Sequence, residues 1–191
     1  MYIKTLIKKS IGYLNIDRPE SLNAMNDEVL DEFISKINDF TFEPTIRAII
    51  ISGSGYKAFI AGADIKLMQQ MDSKNALNFA EKGHRLTKLI EHSKKPIIAA
   101  INGYAFGGGT EIALACHLRV ASEDAIFSIS EARWGVMAGI IIPHLNASIG
   151  VRNVRRYALT CERFNASQAK EMGLVHQVCS CLLYTSPSPR D

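Results

Sequence analysis

Several features are scarce in this chain of 191 residues, and each absence narrows the class of protein. No apolar run approaches the length of a membrane-spanning helix, and Met1–Lys8 alternates like a β-strand rather than like a signal peptide. Neither G-x-G-x-x-G nor G-x-x-x-x-G-K-[ST] occurs, so a dinucleotide or nucleotide-phosphate loop is poorly supported. The cysteines Cys116, Cys161, Cys179 and Cys181 form no C-x-x-C pair, which indicates reduced intracellular thiols.

A strong excess of charge of either sign is also missing. The chain has 22 Lys and Arg against 19 Asp and Glu, a formal net charge of +3, and 47% hydrophobic residues. This composition indicates one soluble globular domain, which we expect in the cytoplasm and without membrane contact. The basic residues, Arg152 to Arg156 among them, are scattered, so we expect solvated faces rather than a nucleic-acid footprint. The five histidines lack metal-ligand spacing, and no metal site is predicted.

Extended and helical patterns alternate along the chain. Ile3–Ile7 and Ile11–Ile16 alternate around Lys9-Ser10 and predict a hairpin, and Asn26 is placed to cap a helix. Alternation of strands with helices predicts an α/β layered fold with largely parallel pairing. Further strands are predicted at 47–51, 97–101, 118–121, 125–127 and 174–178, and further helices from 61–64 onward, over 77–90, over 108–116 and over much of 139–173.

The last eleven residues differ in character from the rest. Residues 181–191 resemble the in-frame translation of a sequencing adapter. We therefore expect a catalytic core over residues 1–180 and an artefactual tail over 181–191, with the natural protein continuing past Ser180.

The junction after strand 97–101 is the most informative segment. Gly107-Gly-Gly109 would let a ligand approach bare backbone and would leave N–H donors at a helix start, with Glu111 in its first turn. A tight turn or close packing needs the same glycines, so this segment alone leaves both interpretations open. Phe59–Asp64 is a second junction of the same kind, and each could offer one N–H to a common crevice. Two such donors make an oxyanion hole.

Five spaced motifs occur along the chain in an order that is typical of one protein family. They are Arg18–Ala24, Ala61–Lys66, Lys95–Tyr104, Gly107–Glu111 and Ser167–Val175. Together they closely resemble the enoyl-CoA hydratase/isomerase (crotonase) family over essentially residues 1 to 180. The resemblance implies a crotonase-like α/β fold (a ββα-superhelix), here C-terminally truncated. It implies an acyl-CoA thioester as substrate, no metal or redox cofactor, and a homotrimer or dimer of trimers for the full-length protein.

The resemblance also assigns site residues. It implies that the backbone amides of Ala63 and Gly108 hold the thioester oxygen, on which enolate charge develops during the reaction. Residues 17–24 and the segment Ala63, Asp64, Ile65 and Lys66 resemble the parts that contact CoA. Lys66 is a candidate for the nucleotide phosphates, although an ordinary surface lysine fits that position equally well.

Family hydratases hold one water between two glutamates, which match Glu111 and Glu131. Because Glu111 lies near a helix N-terminus, we expect it to stay ionised and to activate water as the base. Glu131 is flanked by Ile129, Trp134 and Val136, so we expect a raised pKa and donation of a proton to the alpha carbon. We expect Trp134 in the pocket wall or core.

Departures from the family pattern leave the substrate open. His117 stands where an acidic residue is usual, Ser130 replaces a proline, and Gly135–Gly139 replaces a Gly-x-Pro-Gly-like turn. Residues 130–133 and 155–164 favour the methylglutaconyl-CoA hydratase branch. Three alternatives to hydration remain: a double-bond isomerase of the same fold, an RNA-binding member that uses Arg152–Arg156, and an inert fragment.

Overall fold

The structure of the protein is a computed structural model that describes residues 1–137 and 142–180. It begins with the predicted hairpin, β1 (Ile3–Lys8) and β2 (Ile11–Ile16), paired antiparallel. The connecting residues Lys9 and Ser10 both have positive φ, 49° and 62°. Positive φ at both positions matches the right-handed twist of the two strands, so a two-residue turn suffices.

The larger sheet has six strands in the order β1-β2-β3-β5-β7-β10. All neighbours after the hairpin pair in parallel, which confirms the predicted largely parallel α/β fold. The other strands of this sheet are β3 (Ala48–Gly53), β5 (Ile97–Ile101), β7 (Leu118–Ser122) and β10 (Gln177–Cys179).

A second, smaller sheet contains mostly strands that the sequence did not reveal. Its order is β4-β6-β8-β9, with the first three parallel and the last antiparallel. The bounds are β4 (Ala58–Ile60), β6 (Tyr104–Phe106), β8 (Ile126–Ser128) and β9 (Phe164–Asn165). Strands this short carry too few residues for an alternating pattern, and of the four only β8 coincides with a predicted strand.

Six α-helices complete the described chain. They are α1 (Asp27–Phe42), α2 (Ile65–Met68), α3 (Ser73–Glu91), α4 (Gly108–Ala115), α5 (Ile142–Thr160) and α6 (Ala166–Glu171). The Asn26 side chain accepts from the Val29 N–H at 2.8 Å, so the predicted cap of α1 is confirmed. Helix α5 is kinked at Gly150, whose φ is 76°.

Two boundaries differ clearly from the sequence-based ones. Helix α3 begins at Ser73 rather than at Leu77, because Asp72 caps it by accepting from the Asn75 N–H at 2.7 Å. Strand β10 begins at Gln177, whereas Leu174 and Val175 lie buried in the connection from α6. The predicted helical stretch from Gly139, the end of the Gly135–Gly139 turn and the tail 181–191 fall wholly or partly on residues outside those described.

One apolar core joins the two sheets and the helices. Its largest fully buried side chains include Phe33 from α1, Phe59 from β4 and Phe127 from β8. Burial of such a side chain contributes roughly 1.5–3 kcal/mol. Among the described helices, none combines the length and apolar character needed to cross a membrane.

Two helical glycines make a matched pair for testing this packing. We expect Gly109→Ala to lower the free energy of unfolding by about 1–3 kcal/mol or more, because a Cβ there would overlap the Ile60 carbonyl oxygen of β4. We expect Gly83→Ala to raise it by about 0.5–1 kcal/mol, because in the described structure a Cβ there meets no atom within 4 Å. Urea unfolding of both variants measures the difference, and equal effects would contradict the packing.

Candidate active site

The glycine junction after β6 has a backbone that side chains would obstruct. Gly107 has φ 48° and ψ −118°, a conformation that disfavours any residue with a Cβ. A Cβ at Gly107 would also lie 2.9 Å from Oε1 of Glu131. The missing side chain is therefore what lets the Glu131 carboxylate approach the start of α4.

The second junction lies directly beside the first. Gly62 has φ 92°, and a Cβ there would lie 2.9 Å from the Phe106 carbonyl oxygen and 3.8 Å from the Gly108 nitrogen. A Cβ at Gly108 would in turn lie 4.0 Å from the Gly62 Cα. The two strand ends predicted to share a crevice are thus in close contact through their glycines.

Neighbouring hydrogen bonds fix the loop that carries Ala63. The Met25 N–H donates to the Gly62 carbonyl and the Asp64 N–H donates to the Met25 carbonyl, both at 2.8 Å. Within residues 1–137 and 142–180, the N–H groups of Ala63 and Gly108 donate to no protein acceptor. Two unengaged donors on adjoining backbone are what an oxyanion site requires, although their role remains a prediction.

An ion pair that the sequence did not reveal supports the same loop. The Arg18 guanidinium donates to the Ala24 carbonyl at 2.6 Å and contacts Asp64 Oδ2 at 3.4 Å. Both side chains are largely buried, at 13% and 18% exposure. Asp64, predicted to bind substrate, therefore engages Arg18 with its side chain and Met25 with its backbone.

Two asparagine side chains form hydrogen bonds with the backbone that connects β3 to β4, and sequence reasoning missed both. The fully buried Asn23 donates from Nδ2 to the carbonyls of Ser54 and Ala58. Asn102 donates from Nδ2 to Gly53 and Gly55 and accepts from the Gly53 N–H. Both lie within motifs that carried the resemblance, which was the available signal.

Glu111 lies in the first turn of α4, as predicted, but its protonation differs from the expectation. Burial, with a smaller contribution from the charge of Glu131, raises the pKa of Glu111 to about 7. The helix N-terminus was expected to keep this carboxyl ionised. With this pKa the carboxyl is ionised only in part at neutral pH rather than fully, because loss of hydration outweighs the helix field.

Glu131 opens a short 3-10 helix that ends at Trp134. Burial raises its pKa, while hydrogen bonds from the backbone N–H groups of Glu131 and Ser130 act in the opposite direction. The expected rise is confirmed, but Trp134 and Val136 are 53% and 40% exposed and do not form the apolar enclosure predicted for it. Trp134 is accordingly not a core residue. Oε2 of Glu131 is buried and, within the described structure, has no hydrogen-bond partner.

The two carboxyls act on each other through the glycine junction. A Cβ at Gly108 would lie 3.8 Å from Oε2 of Glu111, and one at the preceding Gly107 would lie 2.9 Å from Oε1 of Glu131. The charge of Glu131 raises the pKa of Glu111, so ionisation of one carboxyl opposes ionisation of the other.

The remaining predicted residues lie at the edge of this arrangement. Ile65 and Lys66 begin the short helix α2, where Ile65 is half-buried and Lys66 is exposed. His117, at the position that departs from the family pattern, accepts the Ile97 N–H on Nδ1 at 3.0 Å and so anchors the start of β5. Among the described residues, no group of three His, Cys, Asp or Glu side chains is placed to hold a metal ion.

Nearly the whole chain matches one known protein family. The family model for enoyl-CoA hydratase/isomerase matches residues 6–182. The chain belongs to that family. The predicted family and crotonase fold are thereby confirmed, whereas the methylglutaconyl branch stays a prediction.

Individual relatives include both hydratases and isomerases. The chain is 35% identical over 175 residues to crotonyl-CoA hydratase of Syntrophomonas wolfei, covering 90% of this chain and 66% of the relative. It is 33% identical to the peroxisomal Delta(3,5)-Delta(2,4)-dienoyl-CoA isomerase of Arabidopsis thaliana, covering 88% and 65%. The chain thus spans just under two thirds of the length of these curated relatives.

A solved structure supports the same fold. The crystal structure of enoyl-CoA hydratase from Bacillus anthracis superposes with a TM-score of 0.90 at 31% identity. The superposition covers 94% of this chain and 70% of that one.

The coupling of the two carboxyls can be measured directly. In Glu131→Gln we expect the pKa of Glu111 to fall, because a neighbouring negative charge is removed, but to stay above its ordinary value because burial is the larger cause. Titration of carboxyl-labelled protein by 13C NMR reports this pKa. A pKa of Glu111 that Glu131→Gln does not change would contradict the coupling.

The same pKa predicts a pH-dependent cost in stability. Because the folded pKa of Glu111, about 7, exceeds the ordinary value of 4.5, the folded chain keeps a proton that the unfolded chain releases. Stability therefore falls as pH rises from about 4.5 to above 7, by about 3 kcal/mol at most. We expect Glu111→Gln to remove this loss, so its advantage in urea unfolding should be larger at pH 8 than at pH 5. The exposed Glu123→Gln is the control, and a parallel pH dependence in all three proteins would refute the assignment.

Proposed function

We propose that this protein is an enoyl-CoA hydratase, a hydro-lyase that adds water across the 2,3 double bond of a short or branched 2-enoyl-CoA thioester. The observation that carries the proposal is a pair of buried carboxyls, of which Glu131 raises the pKa of Glu111, beside two backbone N–H groups that donate to no acceptor in the described part of the chain. The sequence relatives that are named as hydratases add independent support.

The reaction would start from the form in which Glu111 is ionised and Glu131 holds a proton. The thioester oxygen would accept from the N–H groups of Ala63 and Gly108. Glu111 would take a proton from water as the water oxygen bonds to C3. The double-bond electrons would move onto the thioester as an enolate, which the fixed N–H dipoles stabilise. Glu131 would then give its proton to C2, so the pair again holds one proton at the end.

Binding of the CoA portion is assigned to the segment that the Arg18–Asp64 ion pair supports. Exposed Lys66 at the start of α2 is the proposed contact for the nucleotide phosphates. Reaction without a metal or redox cofactor, assembly of the full-length protein into a homotrimer or dimer of trimers, and a cytoplasmic location are further parts of this proposal.

A double-bond isomerase is the second candidate, since one relative is named as such. An isomerase needs one base that carries a proton between carbons, whereas water addition uses two carboxyls that hold opposite protonation states. The paired pKa shifts therefore favour hydration. RNA binding through Arg152–Arg156 has less support, because Arg156 is engaged by Glu162 at 2.7 Å.

Loss of the conjugated thioester absorbance of crotonyl-CoA tests the proposal. We expect hydration by the parent chain and a fall in kcat of about 10²–10⁴-fold in both Glu111→Gln and Glu131→Gln, because each removes one proton-transfer group. The exposed Glu123→Gln should match the parent.

Parallel assays separate the alternatives. A 3-enoyl-CoA that gains absorbance while crotonyl-CoA stays unchanged would establish isomerase activity instead. Faster turnover of 3-methylglutaconyl-CoA than of crotonyl-CoA would support the branched substrate. A longer product of the same gene, assayed beside the 191-residue chain, tests the inert-fragment hypothesis, and inactivity of both with every substrate would end the proposal.

A further inference from the structure

Thr110 is a fully buried polar residue that the mechanism above does not use. Its Oγ1 lies 2.7 Å from the Ala105 carbonyl oxygen of β6 and 3.3 Å from the Ser128 carbonyl oxygen of β8. A buried hydroxyl needs a partner, and here one hydroxyl faces carbonyls from two neighbouring strands. It therefore cross-links β6 and β8 at the ends that lead into the active site.

The chain order gives this cross-link its significance. Glu111 directly follows Thr110, and Glu131 comes three residues after Ser128. The Ser128 carbonyl also accepts the Gly107 N–H at 2.9 Å, so it receives donors from the turn and from the first turn of α4. The hydrogen bond from Thr110 to Ser128 thus joins the two segments that carry the carboxyls. It lies one residue before Glu111 and three residues before Glu131.

The backbone pairing around this point is short. Strands β6 and β8 share only the register pairs Ala105↔Phe127 and Phe106↔Ser128. So short a ladder fixes the relative position of its strands weakly, and a side-chain hydrogen bond across the end adds the missing restraint. A methyl group in place of the hydroxyl would face both carbonyl oxygens without a hydrogen bond and would favour their separation.

We propose that Thr110 is a positioning residue, whose hydroxyl ties α4 and β6 to β8 and thereby sets the separation of the Glu111 and Glu131 carboxyls. This inference rests on the proposed hydratase function for its effect on rate. Thr110 itself touches no reacting atom. Its hydroxyl acts through the two glutamates, so its removal should affect the chemical step more than binding of the thioester.

Kinetics of Thr110→Val and Thr110→Ser test this role. Because small misplacement of catalytic groups is costly, we expect Thr110→Val to lower kcat about 10–100-fold with KM within about twofold of the parent. Thr110→Ser, which keeps the hydroxyl, should retain kcat within about threefold. Thr87→Val in α3 is the matched control, since that buried hydroxyl bonds only the His84 carbonyl of its own helix in the described structure.

Several outcomes would overturn the proposal. These are a parent-like kcat in Thr110→Val, an equal loss in Thr110→Ser, or an equal loss in Thr87→Val. If Thr110→Val does not fold, Thr110→Ala replaces it. The proposal then requires kcat to be clearly lower in Thr110→Ala than in Thr110→Ser, and equal values would refute it.

A second measurement does not depend on activity. A wider separation weakens the repulsion by Glu131 and admits water, so the 13C NMR pKa of Glu111 should fall in Thr110→Val, return in Thr110→Ser and stay unchanged in Thr87→Val. A Glu111 pKa unchanged in Thr110→Val would overturn the positioning role. If the parent chain titrates as expected but does not hydrate any thioester, the proposed function fails while the positioning role stands.

Discussion

Close contact between two glycine junctions is the constraint on which the rest of the site depends. Strands β4 and β6 run in parallel, so their carboxyl ends reach the same edge of the smaller sheet. There Gly62 lies against the Phe106 carbonyl, and Gly109 lies against Ile60. Side chains at these positions would force the backbones apart. Because they are absent, the two backbones approach closely, and the carboxyls of Glu111 and Glu131 lie near that contact.

Burial then sets the direction in which the pKa values of these two carboxyls shift. A helix N-terminus favours a negative charge by up to about 1 kcal/mol when it is exposed, whereas removing a carboxylate from water costs more. Glu111 follows the larger effect, and its pKa lies near neutrality. Burial raises the pKa of Glu131 as well, and the charge of Glu131 adds to the rise at Glu111. In the proposed reaction, one residue type would supply both the base and the acid, because burial raises the pKa of both carboxyls.

Polar side chains that are not part of the chemistry hold this arrangement. Arg18 and Asp64 brace the loop around Ala63, and Asn23 and Asn102 close the neighbouring strand ends. The carbonyl groups that they engage lie at strand ends or in the loops beside them, outside the regular ladder. Such groups must find partners when they are buried, and side-chain amides and guanidinium groups supply them.

The sequence by itself determined the hairpin, the capped first helix, the parallel α/β class and the family, because periodicity, capping residues and spaced motifs are local signals. It also indicated Glu111, Glu131 and both glycine junctions. Only the tertiary structure decided the second sheet, the Arg18–Asp64 pair, the two asparagine clamps and the exposed position of Trp134. It alone corrected the protonation of Glu111. These features depend on burial and on contacts between residues far apart in the chain, and hydration lost at one carboxyl is invisible in the residues beside it.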